Sequence, residues 1–157
     1  MKSCLLLLLL CMVSAGCPAV DDVFCEGSDE LQPGQATANV NGDVYSSDRV
    51  TWSAFTSGQL YITFPREDGV SMEVEANVWV PGLASGGPQL VEFSGDSTGG
   101  SVTLEIDDDS WTSSSADEGR LWITDFRGEG SVLVGCFFVR IEPDVEVTQA
   151  IFLADTP

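Results

Sequence analysis

Apolar and polar residues alternate with a period of two along most of the chain beyond residue 34. Leu60, Ile62 and Phe64 interleave with Gln59, Tyr61 and Thr63. Met72, Val74, Ala76, Val78 and Val80 interleave with Glu73, Glu75, Asn77 and Trp79, and Val102, Leu104 and Ile106 with Thr103 and Glu105. Successive side chains of a strand point to opposite faces, so such stretches predict half-buried strands with one wet face. No apolar repeat of helical period is sustained after the first sixteen residues. Turn residues punctuate the pattern at Asn41-Gly42, Ser57-Gly58, Asp68-Gly69, Pro81-Gly82, Gly86-Gly87-Pro88, Gly99-Gly100, Glu118-Gly119 and Gly128-Glu129-Gly130. The predicted strands cover 36–40, 43–45, 50–56, 59–64, 71–80, 89–93, 101–106, 120–126, 132–141 and 147–153. Links as short as Ser57-Gly58 impose hairpins, because a parallel crossover needs a dozen or more residues. The fold class is therefore all-β: an antiparallel β-sandwich or a partly open barrel.

One stretch, 132–141, is apolar on both faces, with Leu133, Phe137, Val139 and Ile141 opposed to Val132, Val134, Cys136 and Phe138. A strand of that composition belongs inside a sheet. The first set continues to Ile141, whereas Arg140 falls on the other side, so the first set is expected to face the core. Cys136 then points away from it.

The first residues have a different character. Lys2 precedes an apolar run from Leu5 to Val13, and the small residues Ser14, Ala15 and Gly16 follow. That order is the order of a secretory signal. The run is about half the roughly 20 residues that a bilayer span needs. Ser14-Ala15-Gly16-Cys17 resembles the lipobox of bacterial lipoproteins. The resemblance implies transfer of diacylglycerol to the Cys17 sulfur, then cleavage just before Cys17 and acylation of the new amino group, a palmitate-type anchor. Cleavage near Ala15 by the ordinary signal peptidase is the competing reading. More than one acyl chain is what makes anchoring stable. The implied division is a signal peptide at 1–16, an acidic tether at 17–34 and a β-sandwich domain at 35–157. Pro18 stands where Asp retains some lipoproteins in the inner membrane, so the implied address is the cell envelope, at the outer membrane.

With Cys4 and Cys11 in the leader and Cys17 a thioether, Cys25 and Cys136 remain. Exported chains meet an oxidising compartment, where such a pair is expected to be a disulfide. Closing a loop of about 110 residues constrains the unfolded chain by roughly 4–5 kcal/mol, less any strain. Cys25 would be the one fixed point of the tether.

Without its leader the chain has 157 − 16 = 141 residues and a formal charge of 5 − 25 = −20, its only cations being Arg49, Arg66, Arg120, Arg127 and Arg140. Nucleic-acid binding needs cations to displace counterions, so it is not expected. Anionic head groups would repel the chain as well, which leaves the lipid as its link to the membrane.

The order of the later pieces is similar to a family of small bacterial lipoprotein domains of unknown function. The matching segments are Ala38-Asn39-Val40-Asn41-Gly42 with Tyr45, then Gly100-Ser101-Val102-Thr103-Leu104, then Gly135-Cys136-Phe137. The resemblance covers roughly residues 36 to 154 and implies a β-sandwich with no established activity.

Catalytic signatures are sparse. A Ser-His-Asp arrangement needs a base for the serine proton, and the chain has no histidine and no lysine beyond Lys2. The usual zinc ligands are short for the same reason. Asp107-Asp108-Asp109 is the densest acidic cluster and the one candidate for calcium, which takes six to eight oxygens; it lacks the EF-hand spacing and reads first as a solvated strand end. Trp79 shares the polar side of its strand with Glu75 and Asn77, where its ring could stack on a sugar or meet a partner protein, or pack beneath a loop. The reading is a non-enzymatic, lipid-anchored binding or envelope-structural domain without a resident cofactor. Its expected partners are the membrane through the anchor and an envelope protein or glycan. The alternatives are a calcium- or carbohydrate-binding module and, third, a small hydrolase built on paired carboxylates.

Overall fold

The computed structural model describes residues 25–55, 58–78, 88–93, 99–113, 118–126, 132–141 and 145–156. Among these, eleven strands make two antiparallel sheets. The strands are β1 (Ala36–Val40), β2 (Asp43–Ser47), β3 (Thr51–Ala54), β4 (Gln59–Glu67), β5 (Val70–Asn77), β6 (Gln89–Glu92), β7 (Gly100–Ile106), β8 (Asp109–Thr112), β9 (Glu118–Phe126), β10 (Leu133–Ile141) and β11 (Val145–Ala154). One sheet has six strands in the order β2-β1-β11-β10-β9-β6, the other five in the order β3-β4-β5-β7-β8. The two sheets do not close on one another, so the sandwich is the form adopted and the barrel is not. The described helical structure is a single 3-10 turn at Ser28–Glu30.

Local chemistry places the hairpins. Asn41-Gly42 joins β1 to β2, and Asp68-Gly69 joins β4 to β5. All four residues have positive φ, as a two-residue turn matched to strand twist requires, and Asn, Asp and Gly bear that conformation best.

Three strands depart from the alternation. β4 runs on through Pro65 to Glu67, where the predicted strand stops at 64. Pro65 lacks the N–H that the ladder uses, and the β4–β5 register shifts between Phe64 and Glu67. β8 was not predicted, because Asp109-Ser110-Trp111-Thr112 has one apolar residue, and that residue is only partly buried against the core. In β5 the described strand ends at Asn77, short of the predicted 80, and residues 79 and 80 lie outside the described residues.

The core lies between the sheets. Phe64 of the five-stranded sheet meets Phe137 and Phe152 of the six-stranded sheet edge-on, at centroid distances of 5.6 and 5.7 Å. Tyr45 approaches Phe64 at 6.4 Å, and Phe93 approaches Phe137 at 6.1 Å. Edge-to-face pairs of this kind add about 0.5–1.5 kcal/mol each to the area they bury. Gly135 makes room for the arrangement: it pairs with Phe152 across β10 and β11, and a Cβ there would lie 2.7 Å from Phe152 Cζ and 2.4 Å from the Trp122 carbonyl oxygen. Leu133, Phe137, Val139 and Ile141 face this core, as the sequence predicts, and Cys136 does not.

Phe64 is 1% exposed. Phe64→Ala should lower the unfolding free energy by about 3–5 kcal/mol in urea titration, from lost burial and the cavity left behind. A loss below about 1 kcal/mol would show that the two sheets are not locked through this ring.

Candidate functional site

The outer face of the six-stranded sheet carries a second, smaller apolar cluster. Cys136 lies beside Trp122 on β9 and Ile151 on β11, at paired register positions. Trp122, Cys136 and Cys25 are buried together, with Phe138 and Ile151 packed against them. Cys25 and Cys136 are joined as a disulfide with Cα atoms 5.3 Å apart and a sequence separation of 111. The pairing foreseen from the cysteine arithmetic is thus the one present, on the face foreseen for it.

A strap leads away from Cys25 over this face. Gly27 turns the chain with φ +101°, a conformation that costs glycine little, and the 3-10 turn follows. Backbone bonds from Ser28 to Cys25, Glu30 to Gly27 and Leu31 to Ser28 hold the strap's shape. Gly34 then joins the sandwich, its N–H donating to Leu153 O at 2.6 Å and its carbonyl accepting from Val50 N at 2.7 Å. Residues 25–34 therefore dock at more points than Cys25 alone, which corrects the picture of a tether with one fixed point. The alternation missed this docking because the strap is acidic and aperiodic. Between the strap and β1–β2 runs a groove of about 610 Å³ whose lining includes Glu26, Asp29, Glu30, Asn39 and the exposed Val44.

The outer face of the five-stranded sheet is polar. Side by side across it lie Ser53, Tyr61, Glu75 and Ser101, then Thr51, Thr63, Glu73, Thr103 and Thr112. Glu75 Oε1 accepts from Gln59 Nε2 at 3.0 Å and from the Tyr61 hydroxyl at 3.2 Å. Phe55, 56% exposed, sets its ring edge-on to Tyr61 at 5.6 Å. The salt bridges of the described residues lie elsewhere: Arg49 with Asp48 and Glu67, Arg120 with Glu92, and Arg140 with Glu118 and Glu146. Glu73, Glu75 and Glu105 thus form an acidic surface beside an aromatic pair. Residues 55, 61 and 75 come together only through strand register, so spacing along the chain could not have announced them.

The acidic triplet is split by the fold. Asp107 and Asp108 make the β7–β8 turn, with Asp107 at φ 55°, and Asp109 begins β8. The Asp107 N–H donates to Gly69 O at 2.8 Å, and its carbonyl accepts from the Arg66 guanidinium, so the turn is braced against the neighbouring β4–β5 turn. Among the described residues, no three His, Cys, Asp or Glu side chains are grouped so as to hold a metal ion. Cys17 and Trp79 lie outside the described residues.

Comparison with protein-family models, with curated proteins and with solved structures finds no match to this chain.

The chain has two tyrosines in contrasting places. Tyr45 is buried, donates to Pro65 O at 2.8 Å, and is pushed up to about 12, chiefly by burial. Tyr61 is also raised, first by desolvation and then by the Glu75 charge. A phenol whose folded pKa exceeds its unfolded value near 10 stabilises the fold fully below that value, and the contribution is lost as pH rises through the folded pKa. Stability should therefore fall between about pH 10 and 12. Tyr45→Phe should flatten that fall more than Tyr61→Phe, as read by chemical denaturation across the range. An equal effect of the two variants would contradict the assignment.

Proposed function

We propose that the chain is an exported lipoprotein, anchored through Cys17, whose β-sandwich is a non-catalytic binding or structural module of the bacterial cell envelope. The observation that carries the reading is the disulfide at Cys25, eight residues past Cys17 (25 − 17 = 8). A disulfide of this kind belongs to a compartment outside the reducing cytoplasm, and the order Lys2, Leu5–Leu10, Ser14-Ala15-Gly16-Cys17 supplies a route to one. Lipid at Cys17 accounts for attachment of a chain whose charge opposes contact with anionic head groups. Pro18 favours the outer membrane.

The surface best suited to a partner is the outer face of the five-stranded sheet. A second reading, carbohydrate binding, draws support from Phe55 and Tyr61 beside Gln59 and Glu75: a ring for a sugar to stack on, with an amide and a carboxylate to meet its hydroxyls.

Mass spectrometry of the native protein tests the anchor. Acyl mass on residue 17 with the first sixteen residues removed is the expected result, and Cys17→Ser should abolish the acyl mass. An unacylated amino terminus, or acyl mass that persists in Cys17→Ser, would refute the reading.

A further inference from the structure

The disulfide does more than close a loop, because of where on the sandwich it sits and how little chain separates it from residue 17. We propose that the Cys25–Cys136 bond orients the anchored domain, turning the outer face of the six-stranded sheet toward the bilayer and the outer face of the five-stranded sheet away from it. The proposal rests on the anchor at Cys17 and goes beyond it, because an anchor alone leaves the domain free to roll.

Eight residues span at most about 26–29 Å when fully extended. Cys136 lies on β10, two strands in from the β6 edge and three residues from the Leu133 end of its strand. Strands are spaced about 4.8 Å apart and rise about 3.3 Å per residue, so the nearest rim of the sheet is about 10 Å away in either direction. The two sheets of a sandwich are separated by about 10 Å more. Cys25 begins above the sheet, with its Cα 5.3 Å from that of Cys136. A path from Cys25 around the rim to the plane of the five-stranded sheet is therefore on the order of 25 Å, before its outer side chains are passed. Only a fully extended tether would reach that plane.

Without the bond the limit disappears. The first backbone ties to the sandwich are then those of Gly34, seventeen residues from Cys17 (34 − 17 = 17). Seventeen residues extend to about 56–61 Å, enough to pass around either rim. The clamp thus halves the tether and selects the face. The side left open is the one with Phe55, Tyr61, Glu73, Glu75 and Glu105; the side held inward carries the strap, Leu90 and Val44.

The test uses the acylated full-length protein in phosphatidylcholine nanodiscs doped with a lipid bearing a nitroxide on its head group. Co-purification with the discs checks the anchor by itself; a protein that does not co-purify removes the anchor and the orientation together. In the anchored, oxidised protein, amide signals of Val44 and Leu90 should broaden, and those of Tyr61 and Thr103 should stay sharp. In the double variant Cys25→Ser, Cys136→Ser the contrast should vanish, with both sets broadened alike. Equal broadening of the two faces in the oxidised protein would overturn the proposal while leaving the anchor intact, and so would a contrast that survives in a folded double variant. Should the double variant not fold, the comparison of faces in the oxidised protein decides alone.

Discussion

β10 is packed on both of its faces, and the arrangement of the molecule turns on that. On one side Leu133, Phe137, Val139 and Ile141 enter the core between the sheets. On the other, Cys136 is wholly buried in a small cluster with Trp122 and Cys25. A half-buried strand would have left the second face to water and given the N-terminal segment nothing to hold. Because this strand is apolar twice over, the sheet has an inner core made by burial and an outer one completed by a covalent bond. Burial alone would keep the two sheets together. The bond adds an address on the surface for the chain that precedes it, together with a constraint on the unfolded chain of roughly 4–5 kcal/mol, less any strain.

The two wet faces consequently differ in kind. The six-stranded sheet carries the strap, a groove and arginine–carboxylate ion pairs, while the five-stranded sheet shows hydroxyls, the carboxylates of Glu73, Glu75 and Glu105, and an aromatic pair. A single sandwich has few ways to make its sides unequal. Here the inequality comes from strand composition and from the placing of one cysteine, and neither requires catalytic chemistry.

Much of this was legible in the sequence. Strand positions followed from alternation, and the direction in which Cys136 points followed from Arg140 sharing its side. What escaped did so for physical reasons. Trp111 is only partly buried, so β8 has too little apolar signal for its period to show. Pro65 interrupts the donor pattern that marks a strand, yet β4 carries past it by shifting register. The strap is held by backbone bonds and one disulfide instead of an apolar stripe, so its docking beyond Cys25 left no periodic trace. The Phe55–Tyr61–Glu75 surface depends on which strands are neighbours, and that information lies in the pairing, not in any single segment. Asp107-Asp108-Asp109 reads first as a solvated strand end and second as a calcium candidate, because three acids are adjacent in sequence. The turn divides them between a hairpin and a strand, and its backbone is engaged with Gly69 and Arg66.

The most direct test is non-reducing peptide mapping of the protein isolated from its native source under thiol-blocking conditions. The account predicts one cross-linked peptide pair containing residues 25 and 136, with neither cysteine carrying the blocking reagent. Blocked thiols at those two positions, or a bond from either cysteine to a different partner, would contradict it.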